Sequence, residues 1–187
     1  LICGKMDVCP DFLCLAKGLT GGYLPLAATL ATEEVFNAFL GEPSESRHFF
    51  HGHTFTANPL GAAVSLKNIE LLEAMQQDGD FAARMKYFGK LVRKNFCGHP
   101  NVADVRQRGF LTAIELCPEG EPSASFPMDA RIGLKVCLQA RSLGLLLRPL
   151  DDTLLLVPPL VISRDEIEFL CERTLQAIDE TLASPTN

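Results

Sequence analysis

The 187-residue sequence predicts an α/β fold followed by a smaller α+β layer. Two observations support this. Residues 12–16 are apolar and lead into a lysine and a glycine-rich turn, a pattern typical of a short strand buried on both faces in a parallel sheet. After residue 100 the patterns follow the order strand, strand, helix, strand, strand, helix. That order indicates helices packed on one side of a small sheet.

Apolar periodicity and capping signals predict the remaining elements. The first part of the chain should contain a loop or short strand at residues 1–11, a second strand at 24–30, a helix from Thr32, a long loop at 41–58, and a helix from Asn58-Pro59 to about Gln77. The second part should contain a helix with Phe81, Met85, Phe88 and Val92 on one face, strands at 102–106 and 109–117, a surface loop at 118–128, a helix from Asp129 to Leu143 ended by Gly144, strands at 145–148 and 153–157, and a final helix from the capping box Ser163–Glu166. We assign residues 1–80 and 81–187 to two domains.

Composition excludes several classes of protein. With 47% apolar and 21% charged residues, the chain can build a sizeable core. Its net charge of −6 and the lack of a basic block argue against nucleic-acid binding, and no apolar run is long enough to span a membrane. The seven cysteines are odd in number and lack a C-x-x-C pair, as expected for reduced thiols in a cytoplasmic protein. The chain starts in mid-pattern at Leu1 without Met, so we expect it to be part of a longer protein.

Lys17 stands at the end of the apolar run 12–16 and directly before Gly18. Burial at that position would favour the neutral amine, which is the form that reacts with a carbonyl group to give a Schiff base. The alternative is an ordinary lysine at a strand end whose ammonium group reaches solvent. The glycines around it match neither the dinucleotide-binding nor the P-loop pattern, so nucleotide binding is not indicated.

Two further features indicate anion binding. Hydroxyls and backbone N–H groups at residues 52–56 precede the helix start at Asn58, an arrangement that suits a phosphate, although simple helix capping explains it equally well. Arg148 lies in an apolar strand, where a guanidinium needs an anionic partner. That partner is either a ligand carboxylate or a neighbouring acid, Asp151 or Asp152. The histidines in this loop lack the partners of a zinc site, so no metal is expected.

Several stretches resemble the class III (subgroup II) aminotransferases, which are pyridoxal-phosphate (PLP) enzymes of fold type I. These stretches are PDFLCLAKGLTGGYLPLAA at 10–28, HGHTFTANPLG at 51–61, DVRQRG at 104–109, LRPL at 147–150 and VPPL at 157–160. The resemblance covers residues 5–182 and implies the C-terminal part of a fold type I PLP-binding large domain, ending in a linking helix, plus a small α+β C-terminal domain. Within the class, the chain is most similar to the members that aminate 8-amino-7-oxononanoate in biotin synthesis.

The resemblance assigns roles to matching positions. Lys17 matches the catalytic lysine that binds PLP as a Schiff base and shuttles a proton. Thr54 matches the threonine that binds the cofactor phosphate of the neighbouring subunit in a homodimer with shared active sites, and Gly52 and His53 lie in the same cofactor-binding loop. Arg148 matches the arginine that binds the substrate carboxylate, with Gly52 also near the substrate.

The resemblance also leaves questions open. The aspartate that pairs with the pyridinium nitrogen would precede Leu1, so we expect the 187 residues alone to lack activity. The amino donor is S-adenosylmethionine in most relatives and lysine in some. The alternatives are another ω-aminotransferase of the class, acting on ornithine, 4-aminobutyrate or β-alanine, and a non-catalytic dimerisation module of the same fold.

Overall fold

The computed structural model describes residues 2–183. The chain divides into two compact units, Leu1–Gln77 and Asp78–Asn187. The first unit contains α1 (Ile2–Lys5), β1 (Phe12–Leu15), a 3-10 turn (Lys17–Thr20), β2 (Ala28–Ala31), α2 (Glu33–Ala38), a second 3-10 turn (Pro43–Glu45) and α3 (Pro59–Gln77). The second contains α4 (Gly79–Phe96), β3 (Val102–Arg108), β4 (Leu111–Leu116), a 3-10 turn (Met128–Ala130), α5 (Ile132–Ser142), β5 (Arg148–Leu150), β6 (Thr153–Leu156) and α6 (Arg164–Leu182). The mixture of helices and sheet confirms the predicted α/β class.

The first two strands differ from the prediction. β1 and β2 pair antiparallel, with Phe12 opposite Ala31 and Leu15 opposite Ala28. The prediction that β1 is buried on both faces in a parallel sheet is therefore wrong for the described chain, because β2 is its sole partner strand here and its outer residues stay exposed. β2 also begins later than predicted, which fits Pro25, since proline cannot donate a hydrogen bond to the ladder. The start of the chain, predicted as a loop or strand, contains the short helix α1.

The predicted helix starts of the first unit are confirmed. Thr32 caps α2 because its hydroxyl accepts a hydrogen bond from the N–H of Val35. Asn58 caps α3 because its Oδ1 accepts from the N–H of Leu60 at 3.0 Å. Such side-chain acceptors satisfy backbone N–H groups that have no partner inside the helix. The segment between the two helices contains little regular structure, as predicted for a long loop.

The second unit is an antiparallel sheet in the order β3-β4-β6-β5, with α4 and α5 packed against it and α6 packed against these two helices. Alternate residues of the central strands β4 and β6 point into the core, as the twofold period of a half-buried strand requires. The core joins this face of the sheet to the three helices through Phe88, Val92, Phe96, Ile114, Leu116, Val136, Ala140, Leu154, Leu156, Ile167, Cys171 and Ile178. The predicted element order and the inward face of α4 are confirmed.

Two buried threonines in this unit differ in their hydrogen bonding. Thr174 of α6 and Thr112 of β4 are both 0% exposed. The Thr174 hydroxyl donates to the carbonyl of Leu170 at 2.7 Å. The Thr112 hydroxyl has no hydrogen-bond partner among residues 2–183. An unsatisfied buried hydroxyl is destabilising, because its hydration is lost without replacement.

The start of α5 is a correction to the prediction. Asp129 lies in a 3-10 turn and does not cap the helix, which begins at Ile132. The capping acid is instead Asp152 in the β5–β6 turn, whose Oδ1 accepts from the N–H of Gly133 at 2.8 Å. The turn approaches so closely that a Cβ on Gly133 would lie 2.1 Å from the Asp151 carbonyl oxygen. Glycine at this position therefore permits the contact between helix and hairpin.

The end of α5 is as predicted, with Gly144 at φ 83° closing the helix. The N–H of Leu145 bonds to the carbonyl of Ala140, which completes a Schellman motif. Because Leu145 closes the helix, the next strand starts at Arg148 and not at residue 145 as predicted.

The capping box that opens α6 is confirmed between Ser163 and Glu166. Across residues 2–183, none of the helices has the length and apolar character needed to cross a membrane.

Candidate functional site

Lys17 opens the 3-10 turn that follows β1, and its backbone is left-handed, with φ 51°. A non-glycine residue in this region is strained by about 1–3 kcal/mol, and such strain is concentrated at functional sites. The turn closes at Gly21, which is also left-handed. The Lys17 side chain is exposed, so the predicted desolvation of its amine is not provided by the described residues.

The turn is anchored from two sides. Thr20 is buried and its hydroxyl donates to the carbonyl of Leu24 at 2.6 Å. From α3, the Nδ2 of Asn68 donates to the carbonyls of Gly18 at 2.7 Å and Leu19 at 3.2 Å. Sequence reasoning missed Asn68, since nothing in a lone polar residue on a helix indicates a partner some fifty positions earlier.

The loop ahead of α3 folds through its own side chains. The N–H of His53 donates to the Thr56 hydroxyl at 3.2 Å, and the N–H of Phe55 donates to His53 Nδ1 at the same distance. Ala57 then adopts a left-handed backbone with φ 59°, immediately before the cap at Asn58. These contacts fix a compact turn at the N-terminus of a 19-residue helix.

The lysine turn and this loop line one cavity of about 1150 Å³, which we call the lysine cavity. Of the five site residues predicted from the sequence, it contains Lys17, Gly52 and His53 but not Thr54. Its lining also includes Tyr23, Thr29, His51, Phe55, Thr56 and Asn58, and none of its described residues is acidic. These residues supply one cation, two imidazoles, hydroxyls and aromatic rings, and none of them supplies a carboxylate. Such a lining suits an aromatic ligand that carries an anionic group.

Arg148 lies in the second unit, exposed at the start of β5 and opposite Leu155 of β6. It takes part in none of the ion pairs formed by residues 2–183. The ion pair with Asp151 or Asp152 that the sequence left open is therefore absent from the described structure, and Asp152 caps α5 instead. Arg148 is left able to bind an external anion.

The guanidinium borders a mostly apolar cavity of about 820 Å³, the arginine groove. Its walls come from residues 145–148, 155–159, 161–162 and the start of α6. Glu166 is the acidic residue of this lining, and its Oε2 is occupied by the N–H of Ser163 at 2.8 Å. That backbone hydrogen bond, with the one from the Ser163 side chain, lowers the pKa of Glu166. The groove thus pairs an uncommitted cation with apolar walls, as an aliphatic carboxylate requires.

The histidines of the long loop do not form a metal site. Within residues 2–183, no group of three or more His, Cys, Asp or Glu side chains is arranged to hold a metal ion. Two of the rings pack against aromatic neighbours instead, His48 on Phe50 and His51 on Phe49.

Comparison with known proteins gives consistent matches over nearly the whole chain. The chain is 46% identical over 178 residues to adenosylmethionine-8-amino-7-oxononanoate aminotransferase of Aquifex aeolicus (strain VF5), covering 95% of this chain and 39% of that protein. It is 44% identical over 170 residues to the enzyme of the same name from Geobacter sulfurreducens, covering 91% of this chain and 37% of the relative. The chain therefore spans about two fifths of the length of these relatives.

The fold agrees as well. The crystal structure of adenosylmethionine-8-amino-7-oxononanoate aminotransferase from Methanocaldococcus jannaschii superimposes with a TM-score of 0.85 at 42% identity, covering 95% of this chain and 40% of that one. The model of the family described as aminotransferase class-III matches residues 2–178. A strained lysine turn beside a loop suited to an anion, the shared fold and a family match over almost every residue lead to one conclusion: the chain belongs to the class III aminotransferases.

Proposed function

We propose that this chain is part of a PLP-dependent aminotransferase that converts 8-amino-7-oxononanoate to 7,8-diaminononanoate in biotin biosynthesis. The observation that carries the proposal is the lysine cavity, where Lys17 shares one space with Gly52 and His53 and where none of the described lining residues is acidic. Relatives at 44–46% identity bear the name of this activity, which supports the choice of substrate within the family.

Class III aminotransferases use PLP, and the residues of the lysine cavity fit that cofactor. When bound, PLP supplies the aldehyde that carries the transferred amino group and a ring that withdraws electrons. Lys17 is the amine that holds the cofactor and moves the proton during transfer. Gly52 and His53, in the loop before α3, bring backbone and ring donors to the same cavity. We propose that residues 1–80 belong to the PLP-binding large domain and residues 81–187 form the small domain.

We infer that the complete protein works as a homodimer with shared active sites. Thr54 belongs to the same loop as Gly52 yet does not line the lysine cavity, so its hydroxyl is available to the phosphate bound by a second subunit. The surrounding segment exposes large aromatic side chains, Phe49, Phe50 and Phe55, at 68%, 89% and 78%. A concentration of exposed aromatic rings is typical of a protein–protein interface.

Arg148 is the proposed site for the substrate carboxylate. 8-Amino-7-oxononanoate has a carboxylate at one end of an aliphatic chain and the reacting amino ketone at the other. The arginine groove offers a guanidinium for the first and apolar walls for the chain. The amino donor is S-adenosylmethionine by analogy with the names of the relatives, and lysine is the other candidate.

The second candidate function is that of another ω-aminotransferase, which a solved (S)-enantioselective ω-transaminase at 29% identity and a TM-score of 0.84 supports. The experiment is steady-state kinetics of the complete protein with 8-amino-7-oxononanoate and either donor. Arg148→Ala should raise KM for the oxononanoate by about tenfold to a hundredfold, because a hydrogen-bonded ion pair contributes about 1.5–3 kcal/mol. Arg141→Ala, a change at an exposed arginine of α5, should leave it unchanged. An unaltered KM in Arg148→Ala would favour the other substrates.

A non-catalytic dimerisation module is the alternative from a different class. It predicts a stable dimer in which Lys17→Ala changes neither turnover nor the dimer. Our proposal predicts that Lys17→Ala abolishes turnover while the dimer, measured by light scattering, persists.

A further inference from the structure

We propose that Asn68 is a positioning residue for Lys17, holding the lysine turn in the geometry that its chemistry requires. This inference rests on the proposed function, since it assigns a task to a residue outside the cavity lining. Asn68 lies on α3 and is half-buried.

The contacts of Asn68 are made with the turn itself. Its Nδ2 donates to two successive carbonyls, those of Gly18 and Leu19, at 2.7 and 3.2 Å. Its Oδ1 lies 3.0 Å from the point where a Cβ on residue 21 would stand, so the amide also packs against Gly21. The side chain therefore contacts the turn at three residues after Lys17, namely 18, 19 and 21.

The turn needs such support. Lys17 and Gly21, at its two ends, both have left-handed backbones. A left-handed lysine is disfavoured and persists where the surrounding structure overdetermines it. Within the turn, the N–H of Leu19 donates to the Ala16 carbonyl and the N–H of Gly21 donates to the Gly18 carbonyl. The Gly18 carbonyl thus accepts from the turn and from Asn68 together, and the Leu19 carbonyl accepts from Asn68. Asn68 is the α3 side chain that donates to both.

Helix α3 is connected to both parts of the lysine cavity, which are the loop before the helix and the lysine turn. Asn58 caps α3 at the end of the loop that contains Gly52 and His53, and Asn68 follows ten residues later, about 15 Å along the axis. The first helical turn of α3 thus adjoins the loop, and its third helical turn contacts the lysine turn through Asn68. Loss of the Asn68 amide should release the lysine turn and leave the loop in place.

The experiment separates covalent capture by Lys17 from non-covalent binding in the cavity. The complete protein is mixed with PLP and reduced with borohydride at timed intervals, and the adduct on Lys17 is quantified by peptide mass spectrometry. Binding of pyridoxamine phosphate, which has the same ring and phosphate but no aldehyde, is titrated in parallel. The variants are Asn68→Leu, of similar size without donors, and Asn68→Asp, which keeps the shape and loses the Nδ2 donors. Gln76→Leu, at an exposed amide of the same helix, is the matched control.

We expect both Asn68 variants to slow adduct formation on Lys17 by about tenfold, since two hydrogen bonds are lost, and to change pyridoxamine phosphate affinity by less than about twofold. Gln76→Leu should match the unmodified protein in both measurements. A parallel loss of adduct formation on Lys17 and of pyridoxamine phosphate affinity would show that Asn68 is merely structural and would overturn the proposal. An unchanged rate of adduct formation would overturn it as well. If the unmodified protein binds both compounds but forms no adduct on Lys17, the proposed function itself fails and this inference falls with it.

Discussion

Replacing Thr112 by Val should stabilise the second unit, which is an uncommon direction for a core substitution. The hydroxyl is fully buried in β4 and has no hydrogen-bond partner in the described part of the chain, so its desolvation is not compensated. Valine keeps the branched shape that suits a strand and fills the same volume. Removal of an unsatisfied buried hydroxyl should raise the free energy of unfolding by about 1–2 kcal/mol.

Thr174→Val is the matched control, because that hydroxyl is equally buried but donates to the Leu170 carbonyl at 2.7 Å. Loss of this bond should lower the free energy of unfolding by about 0.5–1.5 kcal/mol. Both values can be read from native-state hydrogen exchange of the slowest amides of β4 and β6, which reports on this unit even if the two units unfold separately. If Thr112→Val destabilises as much as Thr174→Val, the Thr112 hydroxyl has a partner and the reasoning is refuted.

Three other predictions concern the same unit. Gly133→Ala should destabilise by about 1–3 kcal/mol despite its better helix propensity, because the added Cβ meets the Asp151 carbonyl at 2.1 Å, and hydrogen exchange in α5 and the β5–β6 hairpin should accelerate. The folded-state pKa of Glu166 lies below its ordinary 4.5, so its stabilising effect is present above that value and is lost as the pH falls through the lowered pKa; Glu166→Gln should remove this part of the acid sensitivity in a pH series of thermal unfolding. Burial raises the pKa of Cys171 to about 12, so at pH 8 iodoacetamide should label the exposed Cys97 and leave Cys171 unmodified until the chain unfolds.

Local signals in the sequence were sufficient for much of the fold. Thr32, Asn58 and Ser163 cap helices through side chains that reach only two or three residues along the chain, so their roles can be predicted without tertiary structure. The order of strands and helices along the second unit followed from periodicity in the same way. Where the deciding contact came from a distant segment, prediction failed. Asp152 caps α5 across 19 residues of sequence, and the nearer Asp129 does not.

The environment of β1 was also mispredicted for a physical reason. An apolar run reports what a strand could bury, whereas actual burial depends on which neighbours cover it. In the described chain β1 has β2 alone as its strand partner, so its outer side chains remain exposed.

The candidate site residues also differ in whether local sequence or distant contacts determine their role. Local chemistry indicated Lys17 and the loop with Gly52 and His53 as candidates, and the resemblance to the class III aminotransferases assigned their roles. The structure places these residues on one cavity. For Arg148, the sequence could not separate an internal ion pair from an external anion, because that depends on where Asp152 points. The role of Asn68 could not be predicted from its sequence neighbours, because its side chain donates hydrogen bonds to two carbonyls fifty and forty-nine positions away.

The most direct test of the central claim is to identify the lysine that captures PLP. The complete protein is incubated with PLP and reduced with borohydride, and its peptides are mapped by mass spectrometry. Our account predicts one adduct, on Lys17, which Lys17→Arg abolishes and Lys5→Arg, at the exposed end of α1, does not affect. A protein that binds PLP but carries the adduct on another lysine, or on none, would contradict it.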